Sequence, residues 1–367
     1  MKQEIYNPRN LFFSRFISSL IYPFIWIFIR SPATHDIGKN GIKKILVTEY
    51  HCIGDVLMII PALRLIKSSF PNAELTLITN SDVSELAAVL KLADKIIPCD
   101  FPWTGKKGKM NYQKVWDIAK KLKRKNFDLG IDFKGDMRNL IFLWKTDSKF
   151  RLGFDGTGGS YFLTHPFPLP FTNHQTDRSV QLLRLIGLNQ TIDNSPINIV
   201  SNVDNKKNFM VLHPGANHKA RQWSKNKWIK LVELLEHSHK IALVKTNDSV
   251  KTINALKEIY PDIFIFSGSL TSFGKWLQHQ KVLIGMDSMA VHLAGVLGVP
   301  SLAIFGKQNP DLTKPKFNKS VYIPPKHPCN HKNNHWRLCG ECTNTVTPES
   351  VFDEINDLLL QSTTKHD

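Results

Sequence analysis

An aspartate follows the first predicted strand at a position suited to proton transfer. The turn reads HCIGD at residues 51–55, and Gly54 permits a tight strand-to-helix connection. Asp55 then falls in the first helical turn, where free backbone amides favour a carboxylate for structural reasons alone. The same carboxylate could instead face a ligand and take a proton from an attacking hydroxyl, as general-base catalysis requires. Local sequence leaves both interpretations open.

A second turn, HPGA at residues 213–216, follows a later predicted strand and has groups suited to a diphosphate. The turn offers backbone amides, and the cations Lys219 and Arg221 come shortly after it. Such a segment can bind a diphosphate, or it can be a solvated basic loop.

A third turn, GMDSM at residues 285–289, opens a helix that we expect to end at Gly298, just before Pro300. The amino terminus of a helix is a ready anion site. His292 lies one turn inside this helix, where it could reach a phosphate oxygen or belong to the core. A fourth turn, DFKGDMR at residues 132–138, could line an acceptor site or be a surface turn.

No cofactor or metal site is predicted. The chain has neither a glycine-rich phosphate loop ending in Lys-Ser/Thr nor Gly-x-Gly-x-x-Gly after the opening strand, which argues against kinase and dehydrogenase functions. Five cysteines, an odd number in a long chain, indicate a reducing cytoplasm. The spacing of the cysteine-histidine segment near the carboxyl end matches no common zinc finger, so a reduced surface loop is favoured over zinc. Its residues are Cys329, His331, His335, Cys339 and Cys342.

Short β-rich runs alternate with helical stretches, which predicts two parallel sheets covered by helices. The asparagine-rich stretch at 189–208 interrupts this rhythm and is the predicted linker. The predicted parts are an amino-terminal arm, two Rossmann-like domains around the linker, and a carboxyl-terminal helix and tail, at residues 1–40, 41–188, 189–208, 209–345 and 346–367. The predicted strands are 43–50, 74–80, 95–100, 128–133, 150–154, 209–213, 240–245, 263–267, 281–285 and 301–305, and the predicted helices include 55–70 and 110–126.

The arm contains an apolar run from Leu11 to Ile29, interrupted by Arg15 and Pro23. Its charge-free part is short for a bilayer span, and no clear cleavage site marks a secretory signal. The run is expected either to lie in the interface of an anionic membrane or to pack on the protein's own surface.

The net charge of +17 predicts attraction to polyanions, namely nucleic acid, an anionic membrane or a phosphorylated glycolipid. Nucleic acid is disfavoured, because the basic runs lack interleaved aromatic residues and form no known reading module.

Five segments in this order resemble the ADP-heptose:lipopolysaccharide heptosyltransferases, glycosyltransferase family 9. They are ILVTEYHCIGDVLMIIPALRLIKSSFPNAELTLIT, HQTDRSVQLLRLIGL, VLHPGANHKARQWSKNKWIKLVELL, LIGMDSMAVHLAGVLGVPSLAIFG and the cysteine-containing tail. The resemblance implies an α/β GT-B fold with two Rossmann-like domains facing a cleft, the first holding the acceptor and the second the nucleotide sugar. It also implies metal-independent, inverting transfer of heptose from ADP-heptose to a lipopolysaccharide core or related lipid-linked anionic glycan. Such an enzyme is expected in the cytoplasm, peripheral on the inner membrane.

By position, Asp55 matches the family's proposed catalytic base, and Arg221 matches a cation that contacts the donor diphosphate. The donor-binding turn matches Asp287, Ser288, Met289 and His292. The local reading of the other turns adds His213, Gly215, Ala216 and Lys219 to the donor site, and Gly54, Lys134 and Arg138 to the acceptor site.

Two departures from the family's pattern bear on specificity. Glu49, Tyr50 and His51 stand where the family often has Arg or Lys, so acceptor contacts are expected to differ. Met289 replaces the usual Gly, which would narrow the donor pocket or change the sugar accepted. The alternatives are the same fold using another nucleotide sugar for a different surface glycan, or a non-catalytic protein that binds anionic glycan or membrane. The joint presence of the matched acidic, basic and histidine positions argues against the last.

Overall fold

The computed structural model describes residues 6–26, 37, 41–104, 111–200, 208–306, 308–316, 320–324 and 339–363. The chain divides into two compact units, Met1–Asp193 and Asn194–Asp367. This division falls inside the stretch 189–208 that the sequence marks as a linker.

The first unit contains a six-stranded parallel sheet in the order β3-β2-β1-β4-β5-β6. Its strands are β1 (Lys44–Thr48), β2 (Glu74–Thr79), β3 (Lys95–Pro98), β4 (Leu129–Asp132), β5 (Phe150–Asp155) and β6 (His165–Pro168). The strand order reverses between β1 and β4, which pair in parallel with Thr48 opposite Asp132. In doubly wound sheets, ligands bind outside the carboxyl ends of the strands at such a reversal.

Seven helices accompany this sheet in the described part of the first unit. They are α1 (Pro8–Trp26), α2 (Ile53–Met58), α3 (Ile60–Ser69), α4 (Ser81–Val89), α5 (Tyr112–Lys123), α6 (Met137–Lys145) and α7 (Gln175–Arg184). The prediction of one helix over 55–70 is wrong, because the helix breaks at Ile59. Pro61 has no amide hydrogen and starts a new helix, where its fixed backbone angle is favourable.

The second unit repeats the same sheet plan, with six parallel strands in the order β12-β11-β10-β7-β8-β9. The strands are β7 (Met210–His213), β8 (Ile241–Val244), β9 (Phe264–Phe266), β10 (Val282–Met286), β11 (Ser301–Ile304) and β12 (Ser320–Ile323). The helices are α8 (Lys225–Leu235), α9 (Val250–Ile259), α10 (Leu270–Leu277), α11 (Met289–Val296), α12 (Pro310–Thr313), α13 (Gly340–Asn344) and α14 (Pro348–Thr363). Here the reversal lies between β7 and β10, where Gly285 pairs with His213. Trp228 of α8 is fully buried in the core of this unit, which also includes Val351 and Ile355 of α14.

Two strands, β6 and β12, are not predicted by the sequence pattern, and both lie at sheet edges. β6 reads HPFP, and a proline within a strand is tolerated at an edge because no inner ladder bond is lost. Such a strand lacks the apolar run that marks the central strands.

The amino-terminal arm forms helix α1, which continues through Pro23. Its inward-facing positions are Leu11, Ser14 and Ser18, whereas most of its large apolar side chains are exposed. α1 does contact the first unit, which was one of the two alternatives for the arm, but it does so mainly through polar side chains. Among the residues that the structure describes, no helix is long and apolar enough to cross a membrane.

Candidate functional site

In the first unit, the pairing of β1 with β4 brings the turns after these two strands side by side. Asp55 lies in the first turn of α2, and Lys134 follows β4. The Oδ1 atom of Asp55 is 2.8 Å from the Nζ atom of Lys134 and accepts a hydrogen bond of 2.8 Å from the Nε2 atom of Gln175, on α7. Lys134 and Gln175, which are distant from Asp55 in sequence, thus fix one oxygen of its carboxylate.

Asp55 and Lys134 each stabilise the charged form of the other. Burial alone would raise the pKa of Asp55, but the neighbouring ammonium of Lys134, together with His51, brings that pKa well below its ordinary value. Burial would lower the pKa of Lys134, but the carboxylates of Asp55 and Glu49 raise it. Asp55 is therefore an oriented carboxylate at neutral pH, and Lys134 is its cation.

Two further charged residues of this cluster were not identified as site residues from the sequence. Glu49 is buried, with its Oε2 atom 3.9 Å from the Nζ atom of Lys134 and its Oε1 atom 3.4 Å from the Nδ1 atom of His51. Arg178 is also buried, and its Nε and Nη1 atoms have no hydrogen-bond partner among the described residues. Burial lowers the pKa of Arg178, while the nearby Asp55 and Glu49 carboxylates act in the opposite direction.

The sequence contained a signal for this part of the cluster. Gln175 and Arg178 belong to the matched segment HQTDRSVQLLRLIGL, and their spacing of three places them on one face of a helix. The sequence alone did not show that this face of α7 lies beside Asp55. We refer below to Glu49, Asp55, Lys134, Gln175 and Arg178 as the Asp55 cluster.

Asp132, at the end of β4, shapes the turn that carries Lys134. Its Oδ1 atom accepts hydrogen bonds from the backbone amides of Lys134 and Gly135, and its Oδ2 atom accepts from Asn139. Burial raises the pKa of Asp132 to about 6. Gly135 adopts a φ of +69°, and a Cβ there would lie 2.6 Å from the carbonyl oxygen of Phe154, so the turn requires glycine.

The other predicted acceptor residues have different surroundings. Arg138 is half exposed and forms an ion pair of 2.6 Å with Asp136, so its guanidinium is held on its own turn. Gly54 lies inside α2, next to Asp55. An acceptor contact by either residue stays a prediction.

In the second unit, the pairing of β7 with β10 sets two of the predicted donor turns next to each other. His213 ends β7, and Gly215 passes so close to Thr246 that a Cβ would lie 2.4 Å from the Thr246 Oγ1 atom. Burial lowers the pKa of His213, which favours the neutral ring, and its Nδ1 atom is buried without a hydrogen-bond partner in the described chain.

The turn after β10 meets the basic residues that follow the turn after β7. Lys219 and Arg221 lie on one turn of 3-10 helix, and the Nη1 atom of Arg221 is 3.6 Å from the Oδ2 atom of Asp287. Ser288 is the N-cap of α11, yet its side chain makes no capping bond, and its Oγ atom is buried without a partner in the part of the chain described.

The other three predicted donor residues belong to the same two turns and to α11. Met289 begins α11 and is partly buried, whereas His292 is buried one turn inside the same helix. Ala216 is buried in the core of this unit, next to Gly215 in the turn after β7. The carboxyl edge of β7 and β10 therefore combines a cation, a helix amino terminus and two buried polar atoms available to a ligand.

The cysteine-histidine segment is only partly described. Cys339, the N-cap of α13, and Cys342, inside that helix, are both buried, so these two do not lie on an exposed loop as predicted. Cys329, His331 and His335 lie outside the described residues. Within the described ranges, no group of three or more His, Cys, Asp or Glu side chains is arranged to hold a metal ion.

A model of glycosyltransferase family 9 (heptosyltransferase) matches residues 115–341, which is more than half of the chain. The chain belongs to this family. Membership in glycosyltransferase family 9 makes it an enzyme of the glycosyltransferase class.

Similar proteins of this family are lipopolysaccharide heptosyltransferases. The chain is 21% identical over 296 residues to the lipopolysaccharide core heptosyltransferase OpsX of Haemophilus influenzae, covering 75% of this chain and 82% of the relative. It is also 21% identical over 306 residues to lipopolysaccharide heptosyltransferase 1 of Pseudomonas aeruginosa, covering 78% and 85%. Identities of this size leave the substrates of this chain open.

Two solved structures show the fold. The ADP-heptose lipopolysaccharide heptosyltransferase II of E. coli matches with a TM-score of 0.71 at 18% identity, covering 87% of this chain and 99% of that chain. The E. coli heptosyltransferase WaaC, solved with ADP, matches with a TM-score of 0.70 at 16% identity, covering 86% and 99%. Together with the two parallel-sheet units, these matches confirm the predicted GT-B fold.

Proposed function

We propose that this glycosyltransferase transfers heptose from ADP-heptose to a lipopolysaccharide core or a related lipid-linked glycan, with inversion at the anomeric carbon. Similar curated proteins are lipopolysaccharide heptosyltransferases, and a similar solved structure contains ADP. The observation that carries the proposal is the Asp55 carboxylate, charged and held by Lys134 and Gln175 at the reversal point of the first sheet.

In this proposal Asp55 is the general base. Lys134 and Gln175 both contact Oδ1, so Oδ2 is the oxygen that takes the proton from the acceptor hydroxyl. The low pKa of Asp55 makes it a weak base in the ground state. The hydroxyl becomes acidic as its oxygen bonds to the anomeric carbon, so a weak base suffices when the proton moves late in the displacement.

The second cation of the Asp55 cluster, Arg178, is assigned to the acceptor. Two of its buried nitrogens have no hydrogen-bond partner among the residues that the structure describes, and a guanidinium in that state gains most from an anionic ligand group. Lys134 serves chiefly to hold Asp55, so we assign it a positioning role beside its predicted acceptor contact.

The second unit supplies the donor site. As the bond between the anomeric carbon and the diphosphate oxygen breaks, its electron pair goes to the departing ADP. The guanidinium of Arg221, the ammonium of Lys219 and the amino terminus of α11 stabilise that charge. The buried atoms His213 Nδ1 and Ser288 Oγ are further contacts for the nucleotide sugar.

Met289 favours a second candidate, in which the same fold uses another nucleotide sugar for a different surface glycan. Its side chain begins α11 and is partly buried, at the position where the family usually has glycine. A larger side chain there changes the shape of the donor site and therefore the sugar that it accepts.

A transfer assay with purified protein separates these functions. ADP-heptose, GDP-linked and UDP-linked sugars are offered with a panel of truncated lipopolysaccharide acceptors, with and without EDTA. The proposal expects transfer from ADP-heptose that EDTA does not reduce. Transfer only from another nucleotide sugar would favour the second candidate, and stabilisation by a sugar nucleotide without any transfer would indicate a binding protein.

The acceptor of such a reaction is anchored in a membrane by its lipid. We therefore propose that the enzyme works at the cytoplasmic face of the inner membrane as a peripheral protein. The net charge of +17 is suited to an anionic leaflet and to an anionic glycolipid.

A further inference from the structure

Helix α1 presents most of its described large apolar side chains outward, which reverses the usual arrangement of a surface helix. Of the thirteen exposed large hydrophobic side chains in the described residues, eight lie on α1, and Phe12 and Phe24 are 68% and 72% exposed. The eight are Phe12, Phe13, Phe16, Ile17, Leu20, Ile21, Tyr22 and Phe24. Contiguous apolar surface of this kind marks a site of interaction.

The opposite face of α1 is attached to the first unit through polar side chains. Arg15 donates a hydrogen bond of 3.2 Å to the carbonyl oxygen of Gly156 and lies over the ring of Phe171. Ser14 donates a hydrogen bond of 2.8 Å to the carbonyl oxygen of Thr157, and Ser18 accepts one of 2.9 Å from the amide of Gly159. A Cβ on Gly158 would lie 2.6 Å from the Cβ atom of Ser18. The glycine-rich loop at 156–159 is therefore shaped to receive this helix, and the outward direction of the apolar face is fixed.

The composition of α1 indicates the chemistry of what covers that face. The helix contains Arg9 and Arg15 and has no acidic residue, and most of its exposed large apolar side chains are aromatic. A cationic helix with an aromatic apolar face is typical of segments that lie in the headgroup region of an anionic bilayer. A second copy of this chain is a poorer occupant, since each copy carries a net charge of +17.

We propose that α1 is a membrane-docking helix that lies in the interface of an anionic phospholipid bilayer through its eight exposed apolar side chains. This proposal rests on the proposed function in one respect, namely that the bilayer is the membrane that carries the lipid-linked acceptor.

A short series of hydrogen bonds joins α1 to the turn at residues 132–138, which carries Lys134. Thr157, which accepts from Ser14, also donates from its amide to Gly135 and accepts on Oγ1 from the amide of Met137. Tyr6, just before α1, donates through its hydroxyl to the carbonyl oxygen of Lys134. Docking through α1 therefore holds the turn that carries Lys134, and with it Asp55, at a fixed place relative to the bilayer.

Vesicle flotation of the full-length protein tests this surface without any sugar nucleotide or acceptor. Vesicles of phosphatidylcholine with phosphatidylglycerol are compared with vesicles of phosphatidylcholine alone. The wild-type protein is expected to float with the anionic vesicles. The variant Phe12→Ser/Phe16→Ser/Leu20→Ser is expected to bind them about 100-fold more weakly, because it withdraws three large apolar side chains from the interface.

The matched control is Leu185→Ser/Ile259→Ser/Leu360→Ser, which removes three exposed apolar side chains elsewhere and is expected to float like the wild type. Equal flotation of both triple variants would overturn the proposal, as would failure of the wild type to bind. If the wild type self-associates and the α1 variant alone is monomeric, without any flotation, the face is an interface between copies and the proposal is wrong.

A transfer assay separates failure of this proposal from failure of the proposed function. The α1 variant is expected to keep transfer to a deacylated, water-soluble acceptor within about twofold, and to lose most transfer to an acceptor embedded in vesicles, since α1 contributes no group to the Asp55 cluster. Equal loss with both acceptors would overturn the docking role. Flotation of a wild type that transfers no sugar would refute the function and leave the docking surface supported.

Discussion

Replacing Lys134 by methionine gives the sharpest test of how the Asp55 cluster works. Asp55 keeps the burial that raises its pKa and loses the ammonium, 2.8 Å away, that lowers it. An opposite charge at close range moves a carboxyl pKa by about 1–3, and contact at this distance belongs to the upper half of that range. The acidic limb of kcat/KM is therefore expected to rise by about 2–3 pH units in Lys134→Met.

The sign follows from the role of Asp55 as a base. A general base works when it is unprotonated, so activity is lost as pH falls through its pKa in the folded enzyme. Since the wild-type pKa of Asp55 lies well below the ordinary carboxyl value, a rise of this size returns it to the ordinary range of about 3–4. Lys134→Met should therefore lose activity as the pH falls through about 4, where the wild-type profile is expected to stay level.

The control for this experiment is Lys134→Arg, which keeps a cation beside Asp55. Initial rates are measured across the pH range with the acceptor well below its KM, and folding is checked at each pH by circular dichroism. The reasoning is refuted if Lys134→Met and Lys134→Arg share the same acidic limb, because the cation would then not control the protonation of Asp55.

Three further predictions concern single contacts. Arg178→Gln is expected to raise the KM for the acceptor about tenfold with kcat nearly unchanged, and an unchanged KM in steady-state assays would remove Arg178 from the acceptor site. Arg221→Gln is expected to weaken binding of the ADP-sugar about 10–100-fold in titration calorimetry, whereas equal affinity would argue against its contact with the diphosphate. Gly215→Ala is expected to lower the free energy of unfolding by about 1–3 kcal/mol in urea, because its Cβ meets Thr246 Oγ1; Thr246→Ala added to it should restore part of the loss, and no rescue would exclude this clash as the cause.

The central strands and the donor-side helix could be predicted from sequence because local patterns determine them. β1 and β10 are apolar runs that are largely buried, and α11 follows its N-cap residue Ser288. Gly298, just after α11, has the left-handed conformation that is common at helix ends. The edge strand β6 was missed because its two prolines are untypical of a strand. The break between α2 and α3 at Pro61 was missed because the apolar periodicity continues across it.

The site could be predicted only where residues follow a strand directly. Asp55 and Asp287 were proposed as site residues in this way, since the carboxyl ends of parallel strands are where ligands bind. The partners of Asp55 come from β4 and α7, and their proximity depends on the parallel pairing of β1 with β4 and on the packing of a helix more than a hundred residues away. Arg178 looks like any helical arginine until its burial and its unpaired nitrogens are known.

The proposed role of Asp55 is tested most directly by measuring heptose transfer from radiolabelled ADP-heptose by the wild type and by Asp55→Asn, in EDTA, with donor affinity measured on the same samples. We expect the wild type to transfer heptose and Asp55→Asn to bind ADP-heptose normally while its transfer rate falls by about 100-fold or more. Transfer by Asp55→Asn at close to the wild-type rate would contradict the assignment of Asp55 as the base.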